Sequence, residues 1–355
     1  MKRLLQVLVG LAVSGGALWL TLRGKDLSAI WQAAREADYR YLAPYLVILG
    51  VIQLVRAYRW GILLEPVAKV SFARLNAVSA VGFMALMLLP FRLGEFARPY
   101  LVADRPRLRV SAALSSVVVE RVADGVFTGL LLILTLLAVP AGTPGLHLLR
   151  VAGVAVSLAF AGLLAFLALA YRNRARAVRL TARLLAPISE RLARRVAGMM
   201  DAFIHGLRLV PSRGKLALFF ALTAAYWALN GWGMQVLARG FQLDLGLVDA
   251  YTVLGVLVVG VMIPAGPGMV GTFQGAVVLG LSLFVSHEAA VLRGLAYANV
   301  LWAVQLGFQT ALGLAYLFSR HVQVGRLFAG PKDTGEELEA EEAEYRAEGD
   351  GAPPV

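Results

Sequence analysis

Residues 84–98 read Met-Ala-Leu-Met-Leu-Leu-Pro-Phe-Arg-Leu-Gly-Glu-Phe-Ala-Arg, so two arginines and a glutamate stand directly behind an apolar run, with Pro90 at the junction. Bilayer hydrocarbon tolerates such charges only where protein buries them or where they line a watery cavity. Pro90 and Gly94 also predict an interrupted helix. A charged, broken segment of this kind marks a substrate-site candidate. It also sets the fold class: an all-α polytopic membrane protein in which some segments enter the bilayer without crossing it.

Composition points the same way. The chain has 355 residues, 59% hydrophobic and 16% charged, with a mean hydropathy of +0.71, far from a soluble average. Several apolar stretches reach the roughly 20 residues that a spanning helix needs. With no cysteine, disulfides, thiol nucleophiles and cysteine metal ligands are excluded. The four histidines, His147, His205, His287 and His321, show no paired spacing, so neither a metal nor another cofactor is expected. Lys2 and Arg3 precede the apolar run 4–22, but that run is long and no small-residue cleavage site follows it. It reads as a retained first span.

The net charge of +12 is unevenly spread. Residues 332–355 hold nine acids and two bases, leaving 32 bases and 13 acids elsewhere. The arginines cluster beside apolar segments, where they set topology and meet anionic headgroups. Motifs for binding RNA or DNA are missing, so no nucleic-acid partner is expected.

Hydrophobic patterning predicts about six spans, at 4–22, 41–63, 110–139, 147–171, 215–238 and 291–318. Two further stretches, 75–103 and 250–286, are split by proline and glycine. The first is flanked by Lys69 and Arg74, then by Arg105, Arg107 and Arg109, so both flanks read as cytoplasmic. The second is flanked by Asp244 and Asp249, then by His287 and Glu288, and both flanks read as external. Two re-entrant helical hairpins satisfy these signs, with both termini cytoplasmic. The chain then divides into span–hairpin–span repeats at 41–139 and 215–318 of opposite orientation, an arrangement that transporters use to place a site near the midplane. Eight full spans with proline kinks would instead put an arginine-rich flank outside.

Residues 1–330 read as one transmembrane domain. Within it, residues 172–213 carry ten arginines against two acids. Leu185, Ile188, Leu192, Val196, Met199, Phe203 and Leu207 recur at helical steps, which predicts an amphipathic helix on the inner leaflet or a charged linker that enforces topology. The acidic tail 331–355 is expected to be disordered.

Three clusters carry chemistry. In the first hairpin, Arg92, Glu95 and Arg98 are three residues apart and would share a face if the returning arm is helical. Guanidinium forks suit phosphate or carboxylate, and Glu95 between them would fix their rotamers; interfacial snorkelling of the arginines is the plainer alternative. In the third span, Glu120 and Asp124 lie one helical turn apart inside apolar sequence and need partners, whereas Arg121 is expected to pair with another segment. Three arginines against three carboxylates, Arg92, Arg98 and Arg121 with Glu95, Glu120 and Asp124, would neutralise one another in a structural network. In the second hairpin, Pro264, Gly266, Pro267, Gly268 and Gly271 break the helix, and the following arm offers unsatisfied N–H groups to an anion, with Gln274 as the natural side-chain partner. A tight turn with close helix packing would use the same residues. Arg56 and Arg59 read as cytoplasmic anchors of the second span. Asn299, Gln305 and Gln309 read as glue between helices.

Taken together, Arg-Ala-Tyr-Arg-Trp at 56–60, Pro-Phe-Arg-Leu-Gly-Glu-Phe-Ala-Arg at 90–98, Glu-Arg-Val-Ala-Asp at 120–124 and Pro-Ala-Gly-Pro-Gly-Met-Val-Gly at 264–271 resemble the lysylphosphatidylglycerol synthase transmembrane-region family, also called flippase-like membrane proteins. The resemblance runs from about residue 5 to 320. It implies a bacterial or archaeal inner-membrane protein. The best-understood relatives move aminoacylated phosphatidylglycerol between leaflets and carry a soluble aminoacyltransferase domain after the membrane region. This chain ends without one, so synthase activity is not expected. Relatives often have Glu where Gln274 stands, and often Arg near Ala298, which leaves the substrate and any proton coupling open.

The expectation is therefore a lipid translocase for an anionic or phosphate-bearing lipid, with Arg92, Glu95, Arg98, Glu120, Arg121, Asp124, Pro264, Gly268, Gly271 and Gln274 as substrate-binding candidates. Membrane lipids are its expected partners, and a homo-oligomer is left open. A membrane enzyme or assembly partner in lipid-linked glycan metabolism, and a small-solute secondary transporter, are the alternatives. No nucleophile–base pair, metal motif or nucleotide-binding loop favours an enzyme.

Overall fold

Proline and glycine break the apolar sequence twice, and each break becomes the tip of a helical hairpin. The computed structural model describes residues 15–17, 19, 21, 23–103, 108, 110–187, 189–190, 211–263 and 265–319, and the elements among them are helices.

The first half begins with a short helix, α1 (Leu27–Arg35), and continues through a single 3-10 turn into α2 (Leu42–Leu64). Asp26 caps α1 by accepting from the N–H groups of Ser28 and Ala29. The sequence reading placed no element there. Helix α3 (Phe72–Leu88) starts behind Ser71, whose hydroxyl accepts from the Arg74 N–H at 3.4 Å. Leu89 is extended, at ψ 140, as a residue before proline prefers. Pro90 then opens a 3-10 turn, Pro90–Phe96, that leads into α4 (Ala97–Val102). The turn folds back on α3 so closely that a Cβ on Gly94 would lie 2.0 Å from the Leu86 amide nitrogen. Only glycine permits that approach. Helix α5 (Val110–Leu137) follows, and then α6 (Leu146–Arg172) and α7 (Arg174–Leu185).

The second half repeats the order with α8 (Arg213–Arg239), α9 (Leu247–Gly260), a 3-10 turn at Pro267–Met269, α10 (Thr272–Leu281) and α11 (His287–Leu317). Gly260 faces Ala276 and Gly280 faces Val253, so α10 runs antiparallel along α9. Pro90 and Pro267 are 177 residues apart (267 − 90), and the first residues of α5 and α11 are separated by the same 177 (287 − 110). Both tips read Pro-x-x-Leu/Val-Gly-x-Phe, at 90–96 and 267–273. In each, the residue two after proline takes a left-handed backbone although it is not glycine: Arg92 at φ 56 and Met269 at φ 53. Packing is reciprocal as well. Helix α3 lies on α11, α9 lies on α5, α2 lies on α8, and the two 3-10 turns touch.

The main apolar core lies where α2, α8, α9, α10 and α11 converge, around Tyr45, Ile52, Met234, Val253, Phe273 and Tyr297. Helix α6 is peripheral and exposes Leu148, Val151 and Leu158 on its outer face. Four segments are long and apolar enough to cross a membrane, Tyr39–Leu64, Leu146–Ala170, Arg213–Arg239 and His287–Leu317. The chain is thus a multi-pass membrane protein. Helix α5 has the length, 28 residues, but Glu120, Arg121 and Asp124 set its composition apart. Span 4–22, the tail 331–355, and Ile188, Leu192, Val196, Met199, Phe203 and Leu207 of the amphipathic stripe lie largely or wholly outside the described residues. Helix α7 is the described helix within segment 172–213, capped by Asn173, which accepts from the Arg176 N–H at 3.2 Å.

Candidate functional site

Arg56, Arg59 and Trp60 lie on one side of α2, as three- and four-residue steps require, and that side points inward. Arg59 is 0% exposed and Arg56 is 3% exposed. They are not the interfacial anchors that their place near a helix end suggested. Arg59 forms a fork with Asp124, from Nη1 to Oδ1 at 2.5 Å and from Nη2 to Oδ2 at 3.0 Å, and its Nη2 also donates to Glu120 Oε1 at 2.7 Å. Thr223 Oγ1 accepts from Arg59 Nη1 at 3.2 Å, and Trp227 Nε1 donates to Asp124 Oδ1 at 3.2 Å. Two carboxylates that apolar sequence would have isolated are thereby satisfied from α2 and α8.

The other oxygen of Glu120 meets Arg98. Arg98 Nη2 stands 2.9 Å from Glu120 Oε2, an ion pair without hydrogen-bond alignment. The Arg98 guanidinium also lies 4.2 Å from the Trp60 ring centroid, a cation–π contact. Gly82 makes room for it, since a Cβ there would lie 2.3 Å from Arg98 Cγ. Arg121 does not pair with another segment as expected. Its long side chain stays with its own helix, 3.5 Å from Glu120 and 3.4 Å from Asp124.

Arg92 and Glu95 form a separate pair at the tip of the first hairpin, with Nε donating to Oε1 at 2.8 Å and Nη2 at 2.6 Å from the same oxygen. Their side chains are 28% and 25% exposed. Arg92 Nη1 also donates to the Val261 carbonyl at 3.3 Å, which ties the first tip to the end of α9. The expectation that Arg92, Glu95 and Arg98 share one face is corrected. The 3-10 geometry of Pro90–Phe96 turns Arg92 and Glu95 to one side, and Arg98, in α4, turns into the buried network.

Arg56 is the unusual member. Its Nη2 donates to Gln53 Oε1 and, at 3.1 Å, to Gln309 Oε1, while its Nε has no partner. Among the described residues no carboxylate lies within ion-pair distance of it. Its charge is met by the Phe83 ring, whose centroid is 3.4 Å from the guanidinium carbon. Gln53 is itself held by Asn76, to which its Nε2 donates at 2.9 Å, and Asn76 Nδ2 donates to the Tyr316 hydroxyl at 3.0 Å. The expected three-against-three neutrality therefore fails. Five arginines (56, 59, 92, 98 and 121) face three carboxylates (Glu95, Glu120 and Asp124), an excess of two positive charges.

Arg56, Arg92, Glu95, Arg121 and Asp124 line a cavity of about 340 Å³. Its remaining walls are mainly apolar, with Leu49, Phe83, Leu254, Met269 and Phe273 among them, and Gln305 and Gln309 add amides from α11. Gln305 Nε2 donates to the Tyr45 hydroxyl at 2.9 Å, so these amides join helices, as expected, and also face the cavity. Arg98 and Glu120 stand behind the wall. In the second hairpin, Gly268 has φ 71 and its carbonyl accepts from Trp302 Nε1 at 2.7 Å. Gly271 has φ 84, and its N–H donates to Gln274 Oε1 at 2.8 Å. Gln274 Oε1 thus caps its own helix, and the side chain is buried and does not line the cavity. Gly268, Gly271 and Gln274 shape the turn, and Val261, Met262, Met269 and Phe273 supply the cavity wall. Pro264 lies outside the described residues. Among the described residues no group of three His, Asp or Glu is placed to hold a metal ion.

The arrangement can hold an anion beside an apolar body. Sequence reasoning missed Arg56, Arg59 and Phe83 as parts of it. The signal available was the spacing of Arg56 and Arg59, which puts both on the face that carries Gln53 and Trp60.

No curated protein matches the chain. The sequence profile described as Lysylphosphatidylglycerol synthase TM region matches residues 7–313. That range takes in both hairpins, the buried network and the cavity, and the profile describes a membrane family linked to lipid handling. The chain belongs to the lysylphosphatidylglycerol synthase TM region family.

Proposed function

We propose that this protein is a lipid translocase that moves an anionic or phosphate-bearing lipid between the leaflets of a bacterial or archaeal cell membrane, and that it carries out no covalent chemistry. The observation behind this reading is a largely apolar cavity lined by three arginines against two carboxylates, with Arg56 lacking a carboxylate partner among the described residues. A buried cation without a counter-charge is costly, and an anionic headgroup would supply that charge. The apolar walls then suit the acyl or prenyl chain. In this reading the two hairpins are re-entrant, both termini are cytoplasmic, and repeats 41–139 and 215–318 run oppositely through the membrane. Arg56, Arg92 and Arg121 face the headgroup, and Arg59, Arg98, Glu120 and Asp124 hold the frame. The second hairpin closes the cavity against the first.

Native mass spectrometry of the purified protein tests this. An anionic lipid should be retained by the parent and depleted in Arg56→Gln. Retention of a polar solute alone would favour a small-solute transporter, and a bound lipid-linked sugar converted on incubation would favour an enzyme.

A further inference from the structure

Arg56 and Arg59 have partners of similar shape and different charge. Arg59 is met by the carboxylates of Glu120 and Asp124. Arg56, one turn earlier on α2, is met by Gln53 and Gln309, whose Oε1 atoms both accept from its Nη2. A glutamine side chain fills nearly the space of a glutamate, yet its amide oxygen accepts a hydrogen bond without cancelling a charge. The two glutamines are 2% and 6% exposed, so water does little to screen Arg56 on their side. The guanidinium therefore lines the cavity held in place but still charged, and three arginines there stand against two carboxylates.

A chain of donors sets the orientation of the Gln53 amide. Asn76 Nδ2 donates to the Tyr316 hydroxyl at 3.0 Å, which leaves Asn76 Oδ1 to accept from Gln53 Nε2 at 2.9 Å. The Asn76 backbone carbonyl accepts from the same Nε2 at 3.3 Å. With its amide nitrogen turned to α3, Gln53 presents Oε1 to Arg56; the opposite orientation would set donor against donor. Helix α11 thus reaches Arg56 twice, directly through Gln309 and indirectly through Tyr316, Asn76 and Gln53.

We propose that Gln53 and Gln309 set the charge preference of this cavity: as neutral amides they aim the Arg56 guanidinium without answering its charge, and so keep that charge for an anionic headgroup. Asn76 is a positioning residue that acts through Gln53. The proposal rests on the reading of the cavity as a lipid-headgroup site.

Binding of short-chain phosphatidylglycerol and phosphatidylcholine to the purified full-length protein provides the test, read as the ratio of the two affinities, with melting temperatures measured alongside. The parent should favour phosphatidylglycerol. Gln309→Glu keeps the hydrogen bond to Arg56 and answers its charge, so the ratio should fall roughly tenfold or more. Gln309→Leu removes the hydrogen bond and adds no charge, so it should lower the melting temperature and keep most of the ratio. A purely structural role for Gln309 predicts the reverse order, with the leucine variant the more impaired in both, and that result overturns the proposal. Gln53 does not line the cavity, so Gln53→Glu acts on the headgroup through Arg56 and should lower the ratio as well. The parent's ratio in Gln309→Glu overturns the proposal. So does the parent's ratio in a folded Gln53→Glu protein, which would reduce any effect at position 309 to direct repulsion inside the cavity. Equal affinity of the parent for both lipids, or the parent's ratio in Arg56→Gln, overturns the lipid-headgroup reading itself.

Discussion

The guanidinium carbon of Arg56 lies 3.4 Å from the centroid of the Phe83 ring, and among the described residues this aromatic face and two amide oxygens, not a carboxylate, are its direct partners. Arg98 and Arg121 approach the same ring at 5.3 and 5.9 Å. Phe83 thus lies between the buried network and the cavity. One turn further along α2, Arg59 is paired with two carboxylates, Glu120 and Asp124. Two arginines three residues apart therefore have opposite energetic roles, and that contrast can be measured.

Arg59→Met should destabilise the protein by about 3–5 kcal/mol, because Glu120 and Asp124 would keep buried charge without their main partner. Arg56→Met, similar in length and apolar, should leave stability unchanged or raise it, since it removes a buried cation that no carboxylate offsets. Thermal unfolding of both variants in detergent checks this. Equal destabilisation by both would mean that Arg56 belongs to the structural network.

Gly94→Ala should abolish the folded protein or its activity, because the added methyl group meets the backbone of Ala85 and Leu86, which cannot move without opening the hairpin. Gly142→Ala, where nothing lies within 4 Å, should be silent. Expression level and melting temperature of the two variants provide the comparison. A well-folded, active Gly94→Ala protein would show that the turn does not press on α3.

The cysteine-free chain allows a topology test by single cysteines and an impermeant thiol reagent in intact cells. Cysteines at Gly142, Asp244 and Glu288 should label from outside. Cysteines at Lys69 and at Arg107, the latter outside the described residues, should label only after permeabilisation, because the proposed re-entrant topology puts both flanks of the first hairpin on the cytoplasmic side. Labelling of Arg107→Cys in intact cells would make residues 75–103 a crossing span.

Both hairpin tips were legible because proline and glycine interrupt apolar runs in a way that few other patterns imitate. The buried carboxylates of α5 were legible too, since apolar neighbours leave Glu120 and Asp124 nothing local to pair with. Their partner was not. Arg59 and Asp124 are 65 positions apart, and an arginine near the end of a span more commonly anchors at the interface. Phe83 resembled any other apolar residue of α3, because its contacts with three arginines exist only once α2, α4 and α5 surround it. The cap that Gln274 makes was legible in its three-residue spacing from Gly271, although the same spacing fits an anion-attracting helix start. Helix α1 was missed for want of length, although Asp26 two residues before Ser28 is a helix-start signal.

The most direct test is transbilayer movement of fluorescent lipids in liposomes that contain the purified protein, with an anionic and a zwitterionic reporter. Parent protein should flip the anionic reporter faster. Arg56→Gln and Arg92→Ala should lose that preference while remaining folded, and Arg92→Lys should keep part of it, because lysine retains the charge but not the fork. Equal flipping of both reporters by the parent, unchanged in Arg56→Gln and Arg92→Ala, would contradict headgroup recognition in the cavity.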